Sequence, residues 1–218
     1  MCSETRPNAK PENVMRHQLT IVRIKQMKVQ TTNIRDYIEL LEVFHIGLTN
    51  GLLDKKEVIK WADNIIQQDE QPDYFVIELS LCGHRSINDI VSLINEFVGE
   101  PKPVVSGRVI LGFAYRQYIK KLIPLRKVTA AIYWLVWQGE LTETEKSFMY
   151  GLDEDLDCAE SGIYGTVEAV EKETLRFIEI YKDFSIDNFD KWSEVNKTID
   201  EKVKELSVIV NAEREKTI

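Results

Sequence analysis

The sequence predicts an all-α protein, a single compact multi-helix bundle of about eight helices that ends in a long C-terminal helix. Apolar residues recur at spacings of three and four, helix-capping patterns recur along the chain, and no two segments show the turn chemistry of a β-hairpin. The 10 glycines and 6 prolines among 218 residues leave little material for the turns of a β-sandwich. We expect residues 1–12 to form a flexible tail and residues 13–218 to form one helical domain.

Capping patterns locate the beginnings of several helices. A capping residue followed by an acidic residue three positions later occurs at Asp54, Ser86 and Thr142. Asn33 is the expected cap of the first clear helix, and Gly51 is expected to end it, because glycine readily takes a left-handed conformation. Residues 13–29 have no clear period, so both a helix and a strand remain open there.

Two successive segments, 104–123 and 125–138, are apolar on most sides and are separated by Pro124. A helix that is apolar all round is typical of a central position in a bundle. The longest near-continuous apolar run, Val128–Trp137, falls well short of the roughly 20 residues that cross a bilayer. The sequence therefore predicts two buried helices and no membrane span.

The net charge and the cysteine content limit the classes of protein that this chain can belong to. The formal net charge is −8, from 28 basic and 36 acidic residues, which disfavours nonspecific binding to nucleic acid or to anionic membranes. The three cysteines are widely spaced and form no zinc or disulfide pattern. A reducing cytoplasm is the expected compartment.

The candidate chemical motifs are incomplete. Glu42 and His45 have the Glu-x-x-His spacing of di-iron proteins, but neither His17 nor His84 has a glutamate three residues earlier. The acidic run 153–157 lacks the glycine and the final glutamate of a calcium loop. Glycine-rich phosphate loops are absent. We expect a noncatalytic protein without a metal or cofactor, and we expect Cys82 to pack as a small apolar residue.

The distribution of charge is more informative. Residues 101–139 contain seven basic residues and no acidic one, whereas residues 140–160 contain eight acidic residues and one lysine. The acidic residues are Glu140, Glu143, Glu145, Asp153, Glu154, Asp155, Asp157 and Glu160. Two interpretations stay open: a docking surface for a basic protein partner, and pairing with the preceding basic helix inside the fold.

The C-terminal segment carries a short heptad of apolar residues interrupted by Asn196. Homo-oligomerisation through a coiled coil is one interpretation of this seam, and packing against the bundle is the other. The seam residues considered for oligomerisation are Phe189, Trp192, Ile199, Val203 and Leu206.

One stretch resembles a family pattern. Residues 50–63 read NGLLDKKEVIKWAD, and residues 77–80 read IELS. This arrangement resembles a pattern in small uncharacterised bacterial proteins, some of which act as immunity proteins that neutralise toxins in bacterial competition systems. The resemblance implies a protein that works by binding another protein, and it implies no catalytic residues.

The leading hypothesis is therefore a noncatalytic protein-binding protein, an immunity-type inhibitor of a bacterial toxin. The first alternative is an enzyme or a small-ligand protein whose site lies among aromatic residues expected to be buried, namely Tyr115, Tyr133, Trp134 and Trp137. The second alternative is a structural oligomer built on the C-terminal helix.

Overall fold

The computed structural model describes residues 33–99, 104–138 and 141–215, and it contains α-helices, short 3-10 helices and no strand within those ranges. The predicted all-α bundle with a long C-terminal helix is confirmed. Residues 1–32, including the expected tail and the ambiguous segment 13–29, lie outside the described residues. So do Cys2 and His17.

The described helices follow in the order of the chain. They are α1 (Ile38–Thr49), α2 (Lys55–Gln68), α3 (Tyr74–Ser80), α4 (Ile87–Val98), α5 (Val104–Ile119), α6 (Leu125–Gln138), α7 (Glu143–Met149), α8 (Leu152–Glu160), α9 (Val167–Ile178) and α10 (Trp192–Glu215). Four 3-10 helices stand between or before them, at Ile34–Tyr37, Leu81–His84, Glu179–Tyr181 and Ile186–Lys191. No described helix is both long enough and apolar enough to cross a membrane.

The predicted capping residues at the helix starts, and the predicted glycine at the end of α1, are confirmed. Asp54, Ser86 and Thr142 each form a complete capping box at the start of a helix. Asn33 caps the 3-10 turn that leads into α1, and Gly51 takes a left-handed conformation with a φ of 62° just after α1 ends. These side chains satisfy backbone N–H groups that a helix start would otherwise leave unpaired.

The core is organised around α1 and α5. Helix α1 is buried on nearly all sides and packs against α4 and α5, while α5 also contacts α6, α9 and the Glu179–Tyr181 turn. The predicted central position of the segment 104–123 is confirmed for α5, because Val109, Leu111 and Ala114 are all buried. It is wrong for residues 120–122, which are exposed after the end of α5. A smaller apolar cluster of Leu125, Leu156 and Val170 joins α6, α8 and α9.

Two predicted helices have different bounds. The segment after Thr142 forms two helices, because Gly151 takes a left-handed conformation with a φ of 86° between α7 and α8. The capping pattern of Ser185 and Asn188 predicts the start of the last helix there, but that helix does not begin directly after Ser185. Ser185 instead caps a 3-10 segment through Lys191, in which Asn188 leaves helical geometry, and the α-helix starts at Trp192.

The C-terminal heptad packs within the chain. Trp192, Ile199, Val203 and Leu206 are buried in the main core, and Phe189 is packed against it. Val208 and Ile209, which fall off the heptad, are the exposed ones. The apolar residues of the heptad thus already contact other helices of the same chain. An oligomer formed through them would require these intramolecular contacts to be replaced by contacts between chains.

Candidate functional site

One face of α6 is turned toward α8. The residues of this face follow at helical spacings and are Arg126, Thr129, Tyr133 and Trp137. The two helices run in opposite directions, because Arg126 binds Glu160 at the end of α8 whereas Thr129 donates a hydrogen bond to Asp153 near its start. The end of α6 therefore meets the beginning of α8.

Arg126 gathers three of the acidic side chains of α8. Its guanidinium lies 2.5 Å from Glu160, 2.6 Å from Asp157 and 3.6 Å from Asp153. The hydrogen bond to Glu160, followed by the charge of Asp157, raises the pKa of Arg126 above its ordinary value. Because these groups are partly exposed, the pairs orient α8 against α6 and contribute only about 0–1 kcal/mol each to stability.

Three aromatic side chains meet at the other end of this helix pair. The ring centroids of Tyr133 and Trp137 are 6.1 Å apart, and those of Trp137 and Tyr150 are 6.0 Å apart. The residues are 50%, 59% and 66% exposed in chain order. Tyr150 reaches the cluster from the α7–α8 turn, where the buried Met149 anchors the chain. Large aromatic side chains that contact one another in solvent form an unusual surface for a protein.

A small cavity lies inside this cluster. Its volume is about 60 Å³, and its lining includes Trp137, Met149, Tyr150, Asp153 and Glu154. Asp153 already accepts a hydrogen bond of 2.7 Å from Thr129. Glu154 is exposed and has no hydrogen-bond or ion-pair partner among the described residues. We call Tyr133, Trp137, Tyr150, Asp153 and Glu154 the aromatic–acidic face.

The predicted acidic residues separate into groups with different surroundings. Asp153, Asp157 and Glu160 pair with Arg126, as the interpretation of pairing inside the fold expected. Glu143 lies on the surface 3.3 Å from Lys146, and Asp155 accepts a hydrogen bond of 2.7 Å from the Tyr164 hydroxyl. Glu154 is exposed, and Glu140 lies outside the described residues. Pairing inside the fold thus accounts for part of the acidic set, and the docking interpretation stays a prediction for the exposed remainder.

Glu145 is wholly buried and is out of reach of any partner. Its oxygens lie 2.8 and 3.1 Å from nitrogens of Arg108, which is 2% exposed. The Thr142 and Tyr181 hydroxyls also donate to Glu145, at 2.7 and 2.9 Å. Burial acts to raise the pKa of Glu145, but the hydrogen bonds from Arg108 and Thr142 outweigh it, so this pKa is lowered. These contacts tie α7 to α5.

Arg108 extends the buried network to the C-terminal helix. Its guanidinium donates to Asn196 at 2.7 Å and to Asp200 at 2.5 Å, and both acceptors belong to α10. Burial raises the pKa of Tyr181 well above its ordinary value, and the charge of Glu145 adds to this effect. Asn196, the polar interruption of the heptad, is therefore explained by an intramolecular hydrogen bond.

The residues of the incomplete sequence motifs take ordinary structural roles in the fold. Glu42 is buried and accepts a hydrogen bond of 2.8 Å from Ser106. Burial lowers the pKa of His45, against the opposing charge of Glu42. Cys82 is buried in the core, as predicted, and its thiol donates to the Glu78 carbonyl oxygen. No group of three metal-binding side chains occurs among the described residues. Residues 153–157 form part of helix α8 rather than a loop.

The expectation that the aromatic residues of α6 are buried is wrong for two of them. Tyr133 and Trp137 are exposed, whereas Trp134 and Tyr115 pack against the core. The same stripe carries the partly exposed Arg126, and this charged residue was the available sequence signal that one side of α6 is open. Tyr150 was not identified from the sequence, because it meets the other rings only through the turn at Gly151.

A second depression of about 500 Å³ lies between α2, α5 and the Ile186–Lys191 segment. Its lining carries the cationic side chains of Lys60, Arg116 and Lys120 together with two acidic ones and the rings of Trp61 and Phe113. The Arg116 guanidinium stands 4.9 Å from the centre of the Phe113 ring, and it donates to the Lys182 carbonyl oxygen at 3.1 Å.

The two segments on which the sequence resemblance was based pack against each other. Residues 50–63 form the α1–α2 turn and most of α2, residues 77–80 belong to α3, and these two helices are in contact. The Ser80 hydroxyl donates a hydrogen bond to Asp63, and the Trp61 ring contacts the Phe44 ring edge-on at 5.4 Å. No family model matches this chain, and no curated protein or solved structure matches it.

Proposed function

We propose that this chain is a noncatalytic protein-binding protein that docks a basic protein partner on the aromatic–acidic face. We further propose that the partner is a bacterial toxin, which the chain neutralises by direct binding as an immunity-type inhibitor. The contact of the three exposed rings of Tyr133, Trp137 and Tyr150 is the observation that carries the docking proposal.

Exposed aromatic clusters favour protein binding for a physical reason. Tyrosine and tryptophan bury a large apolar area with few rotatable bonds, and they dominate the residues that contribute most to protein interfaces. The rings here contact one another, and the buried Met149 lines the cavity beside them. Because the surface is formed before a partner arrives, little side-chain freedom is lost on binding.

Charge supports a basic partner. The chain carries a net charge of −8, and Glu154 is available beside the rings. Opposite charge speeds the encounter of two proteins and disfavours partners of the wrong sign. Toxins that attack nucleic acid carry basic surfaces, because phosphate binding requires lysine and arginine. The immunity-type part of the proposal rests on the sequence resemblance at residues 50–63 and 77–80.

The test begins with isolation of the partner from the cells that produce this chain. Wild-type protein is used as bait beside Trp137→Ala and Tyr74→Ala. Tyr74 is the matched control, because it is an exposed aromatic residue on α3. A docking role predicts a basic protein that is retained by wild type and Tyr74→Ala and lost with Trp137→Ala. Equal retention by all three baits would contradict the proposed face.

The immunity role is tested with the partner so identified. Cells that express the partner alone are expected to stop growing, and co-expression of the wild-type chain is expected to restore growth. Trp137→Ala is expected to restore it poorly. A partner that leaves growth unchanged would overturn the immunity role while leaving the docking role intact.

The second candidate function is the binding of a small anionic ligand in the basic depression. Its volume of about 500 Å³ lies within the usual range for ligand sites, and Lys60, Arg116 and Lys120 supply positive charge. Thermal unfolding with a panel of small carboxylates and phosphates tests it. Stabilisation by one anion in wild type, lost in Arg116→Gln, would support this function, and no stabilisation across the panel would remove it.

A further inference from the structure

The cavity of the aromatic–acidic face has the size of a site for one side-chain head. Its volume of about 60 Å³ is roughly four times the space that a single water molecule needs, and far below the range of sites for small organic ligands. It therefore suits the end of one side chain inserted from a docked protein and is too small to enclose a whole metabolite of ordinary size.

The walls of this cavity favour a cation. The rings of Trp137 and Tyr150 contact each other at an interplanar angle of 54°, with centroids 6.0 Å apart, and both line the cavity, so that a group in the cavity lies close to both. Ring faces carry partial negative charge and attract cations placed within about 6 Å of their centres. Glu154 and Asp153 add negative charge at the rim, and an anionic head would be repelled by every one of these groups.

The two carboxylates differ in availability. Asp153 is engaged by the Thr129 hydroxyl and lies 3.6 Å from Arg126. Glu154 has no such partner among the described residues and lies on the exposed side of α8. Glu154 is thus the carboxylate that a cation in the cavity would pair with.

We propose that this cavity is an arginine site, in which one arginine of the partner places its guanidinium against the rings of Trp137 and Tyr150 and pairs with Glu154. Arginine is favoured over lysine because its planar group stacks on aromatic rings and is more weakly hydrated than an ammonium. This inference rests on the proposed docking function and adds the chemistry of the anchor residue.

The experiment titrates the isotope-labelled full chain with N-acetyl-arginine amide and with its neutral isostere, N-acetyl-citrulline amide. The signal followed is the indole N–H of Trp137, assigned by comparison with Trp137→Phe. The arginine compound is expected to shift this signal at millimolar concentration and to leave Trp61 and Trp192 unchanged. The citrulline compound is expected to shift it far less.

A matched pair of variants tests whether Glu154 is the carboxylate that pairs with the arginine. Glu154→Gln is expected to weaken the response to arginine several-fold, whereas Glu205→Gln, at an exposed acidic residue of α10, is expected to leave it unchanged. Thermal unfolding of both variants verifies the fold. Equal responses to arginine and citrulline, or no response at Trp137, would overturn the arginine site.

The result of the arginine titration can be distinguished from the result of the test of docking. If the partner depends on Trp137 and free arginine does not reach the cavity, the docking face stands and the arginine site falls. If arginine binds and the partner is indifferent to Trp137→Ala, the docking proposal falls, and the assignment of the arginine to a partner falls with it.

Discussion

Arg108 and Glu145 carry opposite charges where almost no water reaches them. Taking such charges out of water is costly, and the cost is offset only while each has its partner. The pair lies between α5 and α7, and Asn196 and Asp200 connect it to α10. Three helices that are distant in sequence thus depend on one guanidinium.

We expect Arg108→Leu to lower the free energy of unfolding by about 3–5 kcal/mol, because Glu145 keeps its charge and loses its cation. Glu143→Gln is the control on the same helix, and a change within about 0.5 kcal/mol is expected there because Glu143 is exposed. Urea unfolding measures both variants. A loss below about 1 kcal/mol for Arg108→Leu would show that the pair is not needed.

Glu145 also makes the free energy of unfolding depend on pH. Its pKa is lowered in the folded chain relative to the ordinary value of 4.5. Its contribution to stability is therefore present above pH 4.5 and is lost as the pH falls through the folded pKa. We expect the stability difference between wild type and Glu145→Gln to be largest near neutral pH and to shrink in acid. A difference that is constant with pH in urea unfolding would contradict this account.

At the scale of elements, α5 makes a close backbone contact at Gly112. A Cβ atom at this position would fall inside contact distance of the Tyr181 carbonyl oxygen and would lie 3.3 Å from the Phe184 Cβ. The absence of a side chain lets α5 approach the turn that follows α9, where Tyr181 reaches Glu145. Gly112 is therefore a packing glycine inside a helix.

Gly112→Ala is expected to lower the free energy of unfolding by about 1–3 kcal/mol, because the backbone around Tyr181 must move. Gly83→Ala is the matched control, since nothing lies within 4 Å of a Cβ placed there. That variant should be neutral or slightly stabilising, because alanine restricts the unfolded chain. Similar thermal unfolding of the two variants would refute the close approach.

Some features of the helices could be predicted from local sequence patterns, and others could not. Helix starts at Asp54, Ser86 and Thr142 were predictable because a capping box is a local pattern. The pairing of Arg108 with Glu145 was not, because the two residues are 37 positions apart and only the fold brings them together. The exposure of Trp137 was missed for a similar reason: periodicity shows that a helix has an apolar face and does not show which neighbour covers it.

At the scale of the whole molecule, α10 completes the core. Trp192, Ile199 and Val203 are buried against the bundle, so removal of this helix would expose a continuous apolar surface. We expect a chain that ends at Ser185 to aggregate, as measured by light scattering and sedimentation. A soluble, cooperatively folding truncation would show that α10 is an appendage and would restore the coiled-coil hypothesis.

Ile199 and Ile209 offer a finer comparison within α10. Ile199 is fully buried and Ile209 is 48% exposed on the same helix. Ile199→Ala is expected to cost about 2–5 kcal/mol of stability, and Ile209→Ala clearly less. Equal losses in urea unfolding would contradict the orientation of α10 against the core.

The aromatic–acidic face, the proposed docking surface, depends on all three scales, because the core holds α6 and α7, Arg126 orients α8, and three rings with Glu154 remain on the surface. The most direct test is the kinetics of partner binding by surface plasmon resonance. Trp137→Ala is expected to speed dissociation roughly 30-fold, the effect of losing an anchor worth about 2 kcal/mol. Glu154→Lys is expected to slow association, and the wild-type association rate should fall with salt. Unchanged rates in both variants, with wild-type melting temperatures, would contradict the account.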